Sequence, residues 1–156
     1  ELAKAIADKG GVIQVPFGNA FVDPASAART QAYFVAYNAY QREKAAGRTT
    51  QTVAEFDAAW EQSHPPLAVK LDAVLDQIDY GVKLVGIDHV GIGSDFDGVD
   101  GALPDGLKSV ADYPNLIAGL QARGYRDADL RKLLGGNLLR MWREVEAEAA
   151  AEARAH

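Results

Sequence analysis

The residues best suited to chemistry lie in the run His89-Val90-Gly91-Ile92-Gly93-Ser94-Asp95-Phe96-Asp97-Gly98, which reads as a short buried strand ending on a carboxylate. Successive strand side chains face opposite ways, so alternation groups Val90, Ile92 and Ser94 on one side and Gly91, Gly93 and Asp95 on the other. In a parallel sheet covered by helices, the branched face packs on the helices, and the glycine face leaves room for a close neighbour. An acid at the tip of such a strand is usually there for chemistry. Asp is equally at home at loop starts, where its carboxylate bonds nearby amides, so the residues alone leave Asp95 open between turn cap and catalytic acid.

Phe96-Asp97-Gly98 has turn chemistry, and the loop beyond carries Asp97, Asp100 and Asp105. Asp97 is the second candidate acid, but its place past the strand end suits bracing of the loop. Calcium is not indicated, since no helix precedes the acidic run and Gly106 stands where a calcium loop needs its glutamate. Gly91-Ile92-Gly93 lies inside the strand with no third glycine opening a helix, so it is not a dinucleotide fingerprint.

No other cluster offers metal or nucleophilic chemistry. The chain has no cysteine, and its three histidines, His64, His89 and His156, show no ligand spacing. His64 precedes two prolines, His89 begins a strand and His156 is terminal. They read as a cap, a buried polar group and a solvated end.

The elements that must position Asp95 follow from pattern. With 156 residues, 48% of them hydrophobic and 24% charged, the chain can bury a core, and its net charge of −6 with scattered Lys and Arg argues against nucleic acid. No apolar run reaches the length of a membrane span. Glu1 through Gly10 reads as the last turns of a helix, as if the chain began within a longer protein. A strand is expected from Val12 to Phe17, with Pro16 near its end where a missing donor costs least. Asp23-Pro24 starts a helix to about Ala46, along which Tyr33, Phe34, Tyr37 and Tyr40 form a packing stripe. Thr52-Val53-Ala54-Glu55 has capping-box spacing before a short helix through Trp60. The periodicity from Leu67 through Val85 predicts a strong helix closed by Gly86. After the strand ending at Asp95, helices are expected from Pro114 to Arg123 and from Asp127 to Leu134. Gly135-Gly136 stops the second of these, Asn137 caps a last helix, and the final ten residues fray. Two strands separated by helices imply a parallel α/β sheet, yet two strands cannot satisfy both edges, so more sheet must come from elsewhere.

Gly86-Ile87-Asp88-His89-Val90-Gly91-Ile92-Gly93-Ser94-Asp95-Phe96-Asp97-Gly98, then Tyr113-Pro114-Asn115-Leu116, then Gly135-Gly136-Asn137-Leu138-Leu139-Arg140, resemble the C-terminal part of the renal-type membrane dipeptidases, peptidase family M19. Gly10-Gly11-Val12-Ile13-Gln14-Val15 also fits, and the resemblance covers nearly the whole chain. It implies the last two strands of a (β/α)8 TIM barrel of the metal-dependent hydrolase type, residues 1–156 being a segment of one barrel domain rather than a complete one. It further implies a zinc-dependent dipeptidase with two zinc ions, in which Asp95 matches the acid at the end of the eighth strand and handles the proton of the attacking hydroxide. The family's metal ligands and substrate-gripping arginine are expected before Glu1, so no metal ligand is expected in this chain. The implied partners are the N-terminal portion of the same barrel and a dipeptide, with a homodimer as an assembly the resemblance allows. Pro16-Phe17-Gly18-Asn19 departs from the more aromatic segment expected after the seventh strand, which leaves specificity and substrate-binding residues open. The rival reading is a non-catalytic helical interaction module descended from the family.

Overall fold

The computed structural model describes residues 1–155; His156 lies outside them. Two parallel strands, β1 (Ile13–Pro16) and β2 (Val90–Ser94), carry helices α1 (Leu2–Asp8), α2 (Asn19–Val22), α3 (Pro24–Ala45), α4 (Val53–Ser63), α5 (Leu71–Val85), α6 (Tyr113–Ala122), α7 (Asp127–Arg131) and α8 (Asn137–Ala155). Ile13, Gln14 and Val15 pair with Val90, Gly91 and Ile92, after which the register slips so that Pro16 faces Ser94. The slip falls where proline has no N–H to give, and the ladder resumes when the Phe17 amide donates to Ser94 O at 2.8 Å. At the other end His89 Nδ1 meets Gly11 O at 2.9 Å, so this histidine pins the start of β2 to the turn before β1.

The core lies between this sheet, α5, α6 and the segment 103–107. Val74, Leu75 and Ile78 bury one stripe of α5, while Phe17, Leu107, Leu116 and Leu120 are fully enclosed. Each such side chain contributes roughly 1.5–3 kcal/mol by leaving water. Val90 packs on α5 at Gly81, where a Cβ would sit 3.3 Å from Val90 Cγ2. The branched face of β2 therefore covers a helix, as alternation requires. Arg123 closes the outer side, its guanidinium reaching Asp76 and Asp79 at 2.6 Å and Asp72 at 3.2 Å along one face of α5.

Several expectations are corrected. The helix expected from Leu67 begins only at Leu71, because residues 69–70 run beside residue 105: the Asp105 amide donates to Val69 O at 2.8 Å, and Lys70 bridges Asp105. A short helix, α2, precedes α3 and was not legible. Gly135, at φ 139°, breaks the helical run of Lys132–Gly136 as expected, and α8 starts directly after it at Asn137. Far from fraying, α8 runs through its alanine-rich end to Ala155, as strong helix formers permit. Asn137 is no cap: its side chain is buried, and Nδ2 donates to Ile87 O at 2.7 Å and Val90 O at 2.8 Å. The aromatic stripe behaves as expected, with Tyr33, Tyr37 and Tyr40 packed on Phe56 of α4, although Phe34 points to solvent.

Candidate functional site

β2 ends at Ser94, one residue before the carboxylate. Ser94 and Asp95 both adopt left-handed backbone, at φ 57° and 66°, so strand alternation does not extend to Asp95 and does not orient it. The glycine face is not empty either. Gln14 of β1 lies across it, with its amide carbon 2.9 Å from where a Cβ on Gly91 would stand and its Cβ 3.2 Å from one on Gly93. What presents Asp95 is a tight left-handed turn at the C-terminal end of the sheet.

Two consecutive non-glycine residues in that region carry a conformational cost of order 1 kcal/mol each, so the surroundings must hold them there. Ser94 is held on both sides: its carbonyl accepts from Phe17, and its hydroxyl bonds the hydroxyl of Tyr113 at the start of α6. Phe96 is drawn inward, edge-on to Phe17 at 5.6 Å and to Tyr113 at 6.0 Å, while Phe17 and Tyr113 meet at 6.3 Å. Val99 then packs on Gly18 and the core. Asp95 is thus clamped between an anchored serine and an anchored phenylalanine and remains half-buried, whereas Asp97 and Asp100 are exposed. Asp97 therefore sits outside the arrangement that positions Asp95.

Tyr113 and Phe17 are positioning residues that sequence reasoning missed. Tyr113-Pro114 announces a helix start, but nothing in local pattern says that the Tyr113 hydroxyl reaches back to Ser94. The Asp95 carboxylate folds over Gly98, with Cγ 3.1 Å from where a Cβ on that glycine would sit and Oδ1 closer still. Gly98→Ala should therefore displace the Asp95 carboxylate, which is the mobile end of a side chain. The expected result is an Asp95 carboxylate swung away from residue 98 in the crystal structure of the variant, with an almost unchanged urea midpoint; a large fall in the midpoint would show that Gly98 matters to folding instead.

The histidines take structural places. His64 caps the C-terminus of α4 through its amide and stacks on Trp60 with ring centres 3.8 Å apart, and His89 serves the strand pairing. Among the described residues no group of three or more His, Cys, Asp or Glu could hold a metal ion. These residues do not by themselves fit the two-zinc site that the resemblance implies.

The whole chain, residues 1–156, matches the family described as membrane dipeptidase (peptidase family M19). The chain belongs to peptidase family M19. It is 36% identical over 93 residues to Dipeptidase tcpJ of Claviceps purpurea (strain 20.1), a match covering 60% of this chain and 22% of that protein. The crystal structure of the probable dipeptidase PvdM from Pseudomonas aeruginosa superposes with a TM-score of 0.61 at 35% identity, covering 90% of this chain and 38% of that one. A metallo peptidase from Rhodobacter sphaeroides, liganded with a phosphinate mimic of a dipeptide, shares the fold at a TM-score of 0.57 and 24% identity, covering 87% of this chain and 28% of that one. The chain thus spans well under half the length of these relatives. No described helix is long and apolar enough to cross a membrane.

Proposed function

We propose that this chain is the C-terminal part of a zinc-dependent M19 dipeptidase, forming the last two strands and flanking helices of a (β/α)8 barrel and contributing Asp95 as its eighth-strand acid. The observation that carries the reading is the clamped turn at the end of β2: a half-buried aspartate on strained backbone at the C-terminal end of a parallel strand, where barrel enzymes place their chemistry. Family membership over the whole chain supports dipeptide hydrolysis as the activity, and the open edges of a two-stranded sheet support further strands from the same barrel.

In this reading the zinc ions are held by residues outside these 156, and the role of Asp95 is limited to taking up and delivering a proton beside the scissile bond. Ser94, Phe96, Phe17 and Tyr113 hold the backbone turn that carries it, and a fixed position is the condition for efficient proton transfer. The rival reading, a non-catalytic helical interaction module, draws no support from the comparisons.

The test is dipeptide hydrolysis by the polypeptide joined to, or mixed with, the barrel segment that carries the metal ligands. Hydrolysis should appear on adding zinc, vanish on chelation and return on adding zinc again. A well-folded, zinc-loaded assembly that cleaves no dipeptide would overturn the proposal in favour of the interaction module.

A further inference from the structure

All three Asp-Gly pairs of the chain, Asp97-Gly98, Asp100-Gly101 and Asp105-Gly106, fall in the loop that begins at the Asp95 turn. Such a pair can react with itself. The glycine amide nitrogen attacks the aspartate Cγ, a five-membered imide closes, and the carboxyl hydroxyl leaves as water with the amide proton. Glycine permits this because no Cβ obstructs the approach. Water then reopens the ring at either carbonyl. Attack at Cγ restores aspartate; attack at the main-chain carbon leaves an isoaspartate, joined to glycine through Cγ with its α-carboxylate free. No oxidant or cofactor takes part, and the final mass equals the first.

The structure restrains the three pairs differently. At Asp105 the amide donates to Val69 O at 2.8 Å, the carbonyl accepts from the Leu71 amide at 3.3 Å, and the carboxylate meets Lys108 Nζ at 3.3 Å. Gly106 O accepts from Asn115 Nδ2 at 3.0 Å, so ring closure at this pair must first break several bonds. Asp100 and Gly101 are the central residues of a turn closed by the Ala102 amide on Val99 O at 2.8 Å, both left-handed at φ 48° and 76°. In that mirror-image turn ψ of the first central residue is about 30°, which puts the next amide nitrogen nearly opposite its Cβ and out of reach of Cγ. Asp97-Gly98 has neither restraint. Both residues are exposed, neither is left-handed, and among the described residues no hydrogen bond holds the Asp97 carboxylate or the Gly98 amide.

We propose that Asp97-Gly98 is a site of spontaneous covalent modification, at which succinimide formation converts Asp97 to isoaspartate in the folded protein. The reaction uses neither Asp95 nor a metal, so it does not depend on the dipeptidase reading. Its product lengthens the main chain by one methylene directly before Gly98. That glycine is the residue over which the Asp95 carboxylate folds, with Cγ 3.1 Å from where a Cβ would sit. The change therefore falls beside the candidate acid.

One tryptic peptide, residues 84–108, carries all three pairs, so a single measurement ranks them. The whole protein is aged at mildly acidic pH in water enriched in oxygen-18, which marks every reopened ring. Electron-transfer fragmentation of the peptide then locates isoaspartate through cleavage of its extra main-chain Cα–Cβ bond. In folded protein, isoaspartate at residue 97 should exceed that at 100 or 105 about tenfold, the factor for opening one or two hydrogen bonds before reaction. In urea, where those restraints are gone, the three pairs should react alike. Asp97→Glu should abolish the signal at 97 and leave the other two unchanged, because the larger ring it would need closes far more slowly. Equal conversion of all three pairs in folded protein would overturn the proposal, as would a lead at 100 or 105. Absence of isoaspartate at 97 from folded protein would do the same. The measurement needs no turnover, so its failure is separate from failure of the dipeptidase assignment.

Discussion

On the proposed function, Asp95→Asn is expected to lower dipeptide hydrolysis by the zinc-loaded barrel roughly 10²–10⁴-fold, the usual worth of a positioned acid–base group. The substitution isolates the proton. Asparagine has the size of aspartate and is among the few residues that tolerate left-handed backbone, so the turn at φ 57° and 66° should survive it. Ser94 and Phe96, which hold the turn from either side, are untouched. The urea midpoint should therefore stay within experimental error of wild type while turnover collapses, and the loss should fall on kcat more than on KM. Asp97→Asn, at an exposed position outside the clamp, should change little. Activity that survives Asp95→Asn in a folded, metal-loaded protein would remove this carboxylate from the mechanism; equal sensitivity at Asp97 would mean that the clamped turn does not select between the two acids.

Asn137→Ala is expected to destabilise the fold by about 3 kcal/mol, measured as a fall in urea midpoint with the slope of the transition unchanged. The size follows from what one side chain does. Asn137 is 3% exposed, and its amide nitrogen donates to both Ile87 O and Val90 O. Those carbonyls flank the entrance to β2, so the first turn of α8 is fastened to the strand that leads to Asp95. Alanine leaves two carbonyls without a donor inside the protein and opens a small void beside them. A helix cap lost at an exposed terminus costs only about 1 kcal/mol, so a value near that figure would mean that Asn137 works as a cap after all.

Elements with a local cause were legible. Asp23-Pro24 starts α3 as read, with the Asp23 carboxylate accepting from the Ser26 amide at 2.6 Å, and Thr52 with Glu55 forms the capping box that opens α4. The periodic face of α5 fills the core at Val74, Leu75 and Ile78, and Gly86 ends that helix in left-handed backbone. Misreadings occurred where distant partners decide. Residues 67–70 have helical spacing, but the chain at residue 105 pairs with residues 69–70 and withholds them from α5. Gly135-Gly136 does break the helix, but the Asn137 that follows is tied to β2 instead of capping α8.

The same division runs through the candidate site. By itself the sequence determined that a parallel strand rich in glycine and branched residues leads to a carboxylate, since alternation and turn chemistry are written in neighbouring residues. The ordered motifs around it were enough to indicate family M19. Only the tertiary structure decided how that carboxylate is held. Its left-handed turn runs against local preference and persists because Phe17 and Tyr113, from two distant stretches of chain, supply the hydrogen bonds and the aromatic packing that hold it.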